Sequence, residues 1–479
     1  MMAFNIKNNI LSKLFPIITV LLIFIRGFES FNLYSLETRY IEVPVDHFSA
    51  TPITKYFYLR YMVNAKYYRK GGPVFVYTGG NRDISITAQN SGFLFDIAPI
   101  FNAVLVFIEH RYYGTSLPFG NASFATIENL KYLSTTQALA DFAFLIDALK
   151  KKFFQKAEPP FIAFGGHYGG MLAAWLRLKY PHSVDGAITS SAPILYFPEL
   201  TSCEGYYKTV TRVFKVYGKE KCVKTIKLGW EVILDLTKSN LGKDYISSTW
   251  KLCNKLKTPE DVDIFLDWLA NVYIKLAMVN YPYSSEYFEP VPAFPVMVFC
   301  NKLTSNYVNN TKGFIQNYAE ALQMITNYTG QTDCINIFYK QEDSNEVAWQ
   351  YQTCTELIMP KCSTDEDMFL TKNWNYQQFA LNCYKQFGVR SRPNGPLTYG
   401  KNVDSYSNVV FSNSMLDPGA WGGAYLKSAD TLNDSVLTYQ IIDAPHLMDL
   451  RGSDSADDNN IVTARKFYIS TIKKWLKRG

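Results

Sequence analysis

The chain has 479 residues, 48% hydrophobic, 16% aromatic and 19% charged, a composition that excludes both intrinsic disorder and a fibrous repeat. Lys and Arg number 48 against 42 Asp and Glu, and no single basic run stands out, so the balance of +6 carries no nucleic-acid footprint. Histidine is scarce, with five in all (His47, His110, His167, His182 and His446), so any imidazole chemistry draws on a very short set.

Lys7 and Lys13 precede a 12-residue apolar run, Leu14 to Ile25, broken by Pro16 and Thr19. That run is too short for a bilayer core of about 30 Å. It reads as a secretory signal peptide over residues 1–30, with an uncleaved signal anchor as the alternative. From Val74 to Ile194 short apolar runs (VFVYTG, AVLVFIEHRYYG, PFIAFGG, GAITSSAPI) alternate with helix-length patterns (TTQALADFAFLIDALKKKF, MLAAWLRLKY). Alternation of this kind predicts a parallel sheet with crossover helices.

Residues 195–389 carry helical patterns such as VDIFLDWLANVYIKLAMV and GFIQNYAEALQMI, together with all eight cysteines: Cys203, Cys222, Cys253, Cys300, Cys334, Cys354, Cys362 and Cys383. None forms C-x-x-C and no His lies among them, which disfavours zinc and predicts up to four disulfides in an oxidising compartment. Strand-like NVVFSN and VLTYQIID and a helical ARKFYISTIKKWLK follow within 390–479. A sheet begun in 31–194, interrupted by a helical cap and completed in 390–479 predicts an α/β-hydrolase fold with an inserted, disulfide-rich helical cap domain. N-x-[ST] sequons at Asn121, Asn309, Asn327 and Asn433 are candidate glycan acceptors and agree with export.

The chemistry centres on Gly165-Gly166-His167-Tyr168-Gly169, a strand running through a tight turn into a helix. This is the layout of a nucleophile elbow, G-x-S-x-G, with histidine at the centre. Together with EHRYYGTSLPFG (109–120), LSTTQALADFAFLI, GGMLAAWLRLKYPHSVDGAI, LAMVNYPYSSEYF, FSNSMLDPGAWGG and PHLMDLR, it makes the chain resemble the prolyl carboxypeptidase and dipeptidyl-peptidase II family of serine exopeptidases, nearest to the lysosomal Pro-X carboxypeptidases within it.

The resemblance implies a Ser, Asp, His triad whose acid is Asp417 and whose base is His446, with His167 in the place of the nucleophile. It implies disulfides Cys203 with Cys362, Cys222 with Cys300, Cys253 with Cys334 and Cys354 with Cys383. Tyr168, Gly80, Asn81, Met171 and Gly419 fall at substrate-binding positions. Two departures from the family pattern accompany His167. The loop Thr78-Gly79-Gly80-Asn81-Arg82-Asp83 loses the acidic residue of the family's T-G-N-E-G-D and gains Arg82, and Asp417-Pro418-Gly419 lacks the tryptophan that lines the family's proline pocket, Trp421 coming two places later. His167, His446 and Asp417 are also the ligand types of a two-His, one-carboxylate centre, but no spacing fixes such a geometry, and no metal or cofactor is implied.

The expected function is therefore a family member without peptidase chemistry, binding peptides with proline near a terminus, a second copy of itself or an active paralogue, and no nucleic acid. A hydrolase with an unusual nucleophile and a non-catalytic structural glycoprotein are the alternatives. The expected location is the secretory pathway, with a secreted or lysosomal destination.

Overall fold

The computed structural model describes residues 35–153, 158–305, 310–338, 343–425 and 435–477, so the expected signal peptide and the sequons at Asn309 and Asn433 lie outside the described residues. Strands β1 (Glu37–Pro44), β2 (Tyr56–Asn64), β3 (Val74–Thr78), β4 (Val104–Ile108), β5 (Phe161–Gly166), β6 (Gly186–Ser190), β7 (Val409–Ser414) and β8 (Val436–Ile441) form one sheet. Its order is β1-β2-β4-β3-β5-β6-β7-β8. β2 runs antiparallel to β4, and all pairings from β4 through β8 are parallel. This is the α/β-hydrolase fold.

The central strands are continuous apolar runs because helices cover both of their faces. Val74, Val76, Phe161 and Ala163 share a core with Leu139 and Phe142 of the helix Thr135–Phe153 and with Trp175 of the helix Tyr168–Lys179. The alternate residues point the other way. Phe75 packs edge-on against Phe101, and Phe107 stacks on Phe95, both partners lying on the helix Gly92–Phe101. β2, nearer the sheet edge, instead alternates exposed Tyr56 and Tyr58 with buried Phe57 and Leu59.

Between β6 and β7 the chain is helical, from Gly205–Leu236 through Gly395–Tyr399. The helix Pro259–Met278 starts where it does because Thr258 and Asp261 form a reciprocal capping box around Pro259 at the first helical position. The four disulfides are Cys203–Cys362, Cys222–Cys300, Cys253–Cys334 and Cys354–Cys383, the pairs implied by the family resemblance. Residues Thr38–Gly479 form one compact unit.

The EHRYYG segment follows β4 and is structural in this fold. Glu109 accepts from Arg60, Ser116 Oγ (2.7 Å) and the backbone N–H groups of Thr115 and Ile84. Arg111 is fully buried and forks onto Asp141 at 2.6 and 2.7 Å. His47 sits in a turn and donates Nε2–H to the same carboxylate at 2.7 Å, and His182 is exposed near the end of the turn before β6.

Candidate active site

β5 ends at Gly166 and the helix Tyr168–Lys179 begins one residue after His167, which takes φ 51° and ψ −123°. A non-glycine residue in that region costs about 1–3 kcal/mol and persists only where the surroundings enforce it. Here they do. A Cβ on Gly165 would collide with the carbonyl of Gly169, and one on Gly169 would lie 2.5 Å from the carbonyl of Thr78. Strand, turn and helix therefore close on one another only with glycine on both sides of the apex. The His167 N–H donates to Ser190 O at 2.9 Å, which anchors the apex to β6.

The loop after β3 crosses the same helix start, with Gly80 placed so that a Cβ would lie 3.0 Å from the Gly169 nitrogen. Gly80 and Tyr168 thus lie side by side, and these are the two backbone segments that supply oxyanion donors in this architecture. Asn81 is partly exposed on the loop. Arg82 reaches the segment carrying Tyr287, whose ring centroid lies 6.4 Å from that of His446. It donates Nη1–H to Tyr287 O at 3.1 Å and lies over the rings of Tyr287 (4.5 Å) and Phe288 (5.1 Å).

Asp417 follows β7 and His446 follows β8, and both are buried. His446 Nδ1–H donates to both carboxylate oxygens, at 2.9 and 3.0 Å. That tautomer leaves Nε2 as the basic lone pair. Burial alone would raise the Asp417 carboxyl, but the charge and hydrogen bond of His446, with Ser191 and the Gly419 N–H, hold it below the usual carboxylate range. The insertion fixes the backbone of His446: its N–H donates to Met278 O at 2.9 Å and its carbonyl accepts from Tyr281 OH at 2.7 Å. Gly419 leaves room for the imidazole, since a Cβ there would lie 2.6 Å from His446 Cε1.

The apex and His446 meet. The rings of His167 and His446 stand edge to face with centroids 5.2 Å apart. His167 is partly exposed as a residue, yet its Nδ1 is shielded from solvent and has no hydrogen-bond partner. Burial, and then the neighbouring His446, push the His167 imidazole down to about 3, so it is neutral at physiological pH. Among the described residues the His446 imidazole hydrogen-bonds only Asp417, and no group of three His, Cys, Asp or Glu side chains is arranged to hold a metal.

Met171 is fully buried in the core beneath the elbow, and Trp421 lies against Gly205 and donates to Ser202 O at 2.9 Å. The Tyr168 side chain is also buried. Its hydroxyl joins a network that no local pattern announces, because Gln352 is 184 residues away. His110 Nδ1–H donates to Arg111 O, so its Nε2 accepts from Tyr168 OH at 2.9 Å. Gln352 Nε2 then donates to that hydroxyl (2.8 Å) and to Glu356 (2.9 Å). Glu356 in turn accepts from Thr135 N–H at 2.8 Å, at the start of the helix Thr135–Phe153. The segment Tyr281–Phe288, part of the LAMVNYPYSSEYF motif, is held by Arg82 at one end and by Arg451 over Tyr281 (4.4 Å) at the other.

These buried groups give stability a pH dependence. An imidazole ordinarily titrates near 6.5, but burial pushes His110 down to about 4 and His167 to about 3. Below pH 6.5 the unfolded chain therefore takes up protons that the folded chain refuses, and stability falls as pH drops through that window. Burial raises Glu356 to about 7, which works in the opposite sense: the folded form binds this proton first, so its contribution grows as pH falls from about 7. For a fully buried imidazole at pH 5 the cost is about 2 kcal/mol, and partial exposure of His167 reduces it to roughly 1 kcal/mol. His167→Gln is expected to shrink the drop in Tm between pH 7 and pH 5 accordingly, and calorimetric melts at the two pH values measure it.

The model of the "Serine carboxypeptidase S28" family matches residues 43–468. The chain is 42% identical over 443 residues to the lysosomal Pro-X carboxypeptidase of Bos taurus, covering 91% of this chain and 87% of the relative. It is 40% identical to the human protein of that name over 91% and 88% of the two chains, and 36% identical to "Prolyl carboxy peptidase like protein 5" of Caenorhabditis elegans over 94% and 92%. Among solved structures, an epoxide hydrolase from Vigna radiata aligns over 92% of this chain and 98% of its own at 14% identity, with a TM-score of 0.34. A family match over nearly the whole described chain, on a sheet of α/β-hydrolase order that brings Asp417 and His446 together beneath a glycine-flanked elbow, places this chain in the serine carboxypeptidase S28 family.

Proposed function

We propose that this chain is an exported S28 homologue that has lost peptidase chemistry and keeps its cleft for binding peptides with proline near a terminus. His167 at the apex of the elbow carries the reading. In a serine triad the apex Oγ attacks the carbonyl and passes its proton to the base. An imidazole in that place has no hydroxyl to form the ester, and its ring, 5.2 Å from that of His446, fills the space between apex and base. The relatives named Pro-X carboxypeptidases support the peptide class, and with the four disulfides they support a lysosomal or secreted destination.

Recombinant, disulfide-bonded protein is expected to leave Pro-X and X-Pro peptides uncleaved while giving a saturable binding heat with them in calorimetry. Turnover at an ordinary enzymatic rate, about 1–10³ s⁻¹, would overturn the reading. An absence of both cleavage and heat would favour a structural glycoprotein.

A further inference from the structure

The buried carboxylates of Glu109, Asp141, Asp417 and Asp457 each meet an Arg or a His. Glu356 meets neither. It caps the C-terminal end of the helix Ser344–Thr355 and lies against the first residue of the helix Thr135–Phe153. Thr135 N–H donates to both of its oxygens (2.8 and 3.1 Å), Thr135 Oγ1–H donates to Oε2 (2.8 Å) and Gln352 Nε2–H to Oε1 (2.9 Å). These three donor groups serve about four lone-pair positions, so Oε2 can accept one more hydrogen bond. All three donors are neutral, and no Lys or Arg is among the groups acting on this carboxyl. The helix ends give little net help, because the positive start of one helix and the negative end of the other meet at the same side chain.

Glu356 is partly exposed and lines a cavity of about 260 Å³ between these two helices and the helix Gly395–Tyr399. Ser134, Thr136, Asn394 and Thr398 line it too, with hydroxyl and amide oxygens able to accept from N–H donors. Lys131 is also in the lining, but its ammonium is bonded to Glu128 at 2.7 Å. A water molecule takes about 30 Å³ of the liquid, so the space admits a ligand of several heavy atoms. One carboxylate is too few for a resident divalent ion, and among the described residues no group of three His, Cys, Asp or Glu could hold one.

We propose that this cavity is a binding site for a small primary ammonium ligand, with Glu356 Oε2 as its counter-charge. An ammonium group has three N–H donors and no acceptor, which suits one open carboxylate lone pair among hydroxyl oxygens. A carboxylate held in the interior without a counter-charge is costly, and a bound cation relieves that cost where a neutral alcohol cannot. The site lies apart from the cleft but touches its frame, since Gln352 gives its other N–H to Tyr168 OH at 2.8 Å, beside the apex.

Burial raises Glu356 to about 7, and the ligand needs the ionised form, so affinity is expected to fall about tenfold from pH 8 to pH 6. The hydroxyls its charge reaches, Tyr113, Tyr168, Tyr351 and Tyr399, are kept neutral by burial, and His110 behind Tyr168 is neutral across that range. The other charged groups nearby are Lys131, which Glu128 keeps protonated, and Glu346, which acts with Glu356 on Tyr113.

The test titrates the full-length disulfide-bonded protein at pH 8 with propylammonium chloride, read by calorimetry and ligand-observed NMR, with 1-propanol as the neutral isostere. Propylammonium is expected to bind saturably, and 1-propanol at least tenfold more weakly. Glu356→Gln is expected to lose at least tenfold in propylammonium affinity, whereas Glu346→Gln keeps it. Alanylalanine amide distinguishes the source of the ammonium: its binding at the same site assigns peptide N-termini, and binding of propylammonium alone assigns free amines, either of which supports the proposal. If Glu356→Gln fails to fold, the pH dependence of the parent protein reads the same carboxylate. No propylammonium binding, equal affinity for 1-propanol, an affinity unchanged between pH 8 and pH 6, or a folded Glu356→Gln protein that binds like the parent would each overturn the proposal.

Discussion

Serine at position 167 is expected to raise hydrolysis of a Pro-X peptide by at least about a hundredfold over the parent protein, because loss of a triad nucleophile alone costs up to about 10⁶ in kcat. The geometry that a serine there would use is present. Asp417 and His446 are joined at 2.9 Å, the His446 tautomer leaves Nε2 as a free lone pair, and φ 51° at the apex is the strained turn that lifts a central side chain above the sheet. A hydroxymethyl group would vacate the volume now held by the imidazole and place an O–H before that lone pair. Recovery is expected to stop short of a fully active enzyme. The loop carrying Asn81 and Arg82 is committed to Tyr287 and Phe288, and Trp421 is turned toward Ser202. His446→Ala in the serine background is expected to abolish the gain, which separates triad chemistry from contamination. Steady-state kinetics of His167→Ser, with and without His446→Ala, measure both effects, and no gain from His167→Ser would locate the loss outside position 167.

The largest effect on stability is expected at Asp141. Arg111 has no exposed surface, and its guanidinium is held by the forked Asp141 contact with the carbonyls of Val45 (2.7 Å) and Pro44 (3.2 Å). Burial alone would raise the Asp141 carboxyl, but Arg111 and His47 hold it below the usual carboxylate range, so the pair is charged in the folded state. Asp141→Ala removes one partner, leaves a buried guanidinium uncompensated and is expected to cost about 3–5 kcal/mol. The double replacement Arg111→Met/Asp141→Leu is expected to cost less than Asp141→Ala alone, because two apolar side chains leave no orphaned charge. Thermal unfolding with the disulfides intact compares the variants. A double variant less stable than the single one would mean that the pair is worth more than its desolvation costs.

Much of the scaffold is legible in the residues. VFVYT and VLVFI are unbroken apolar runs because both of their faces are covered, and each became a central parallel strand. Gly165 and Gly169 around His167 marked a turn too tight for side chains on either flank, and the structure has that turn. The pairing of eight cysteines could not be read from spacing and came from the family resemblance. Local patterning gave no account of Met171 and Tyr168, whose side chains lie in the core, because a residue on a buried helix start reads alike whether it faces a cleft or a sheet.

The sequence by itself determined the alternation of strands and helices, the helical interruption, the elbow and the order of Asp417 and His446, since each depends on side chains close together in the chain or on a motif read whole. Tertiary structure alone decided what surrounds them. It brought His167 against His446 across 278 intervening positions, tied Tyr168 to Gln352 and Glu356, and turned Arg82 onto Tyr287. The physical reason is that periodicity reports which face of an element is buried, whereas the partner across that face is chosen by packing and desolvation summed over the whole chain.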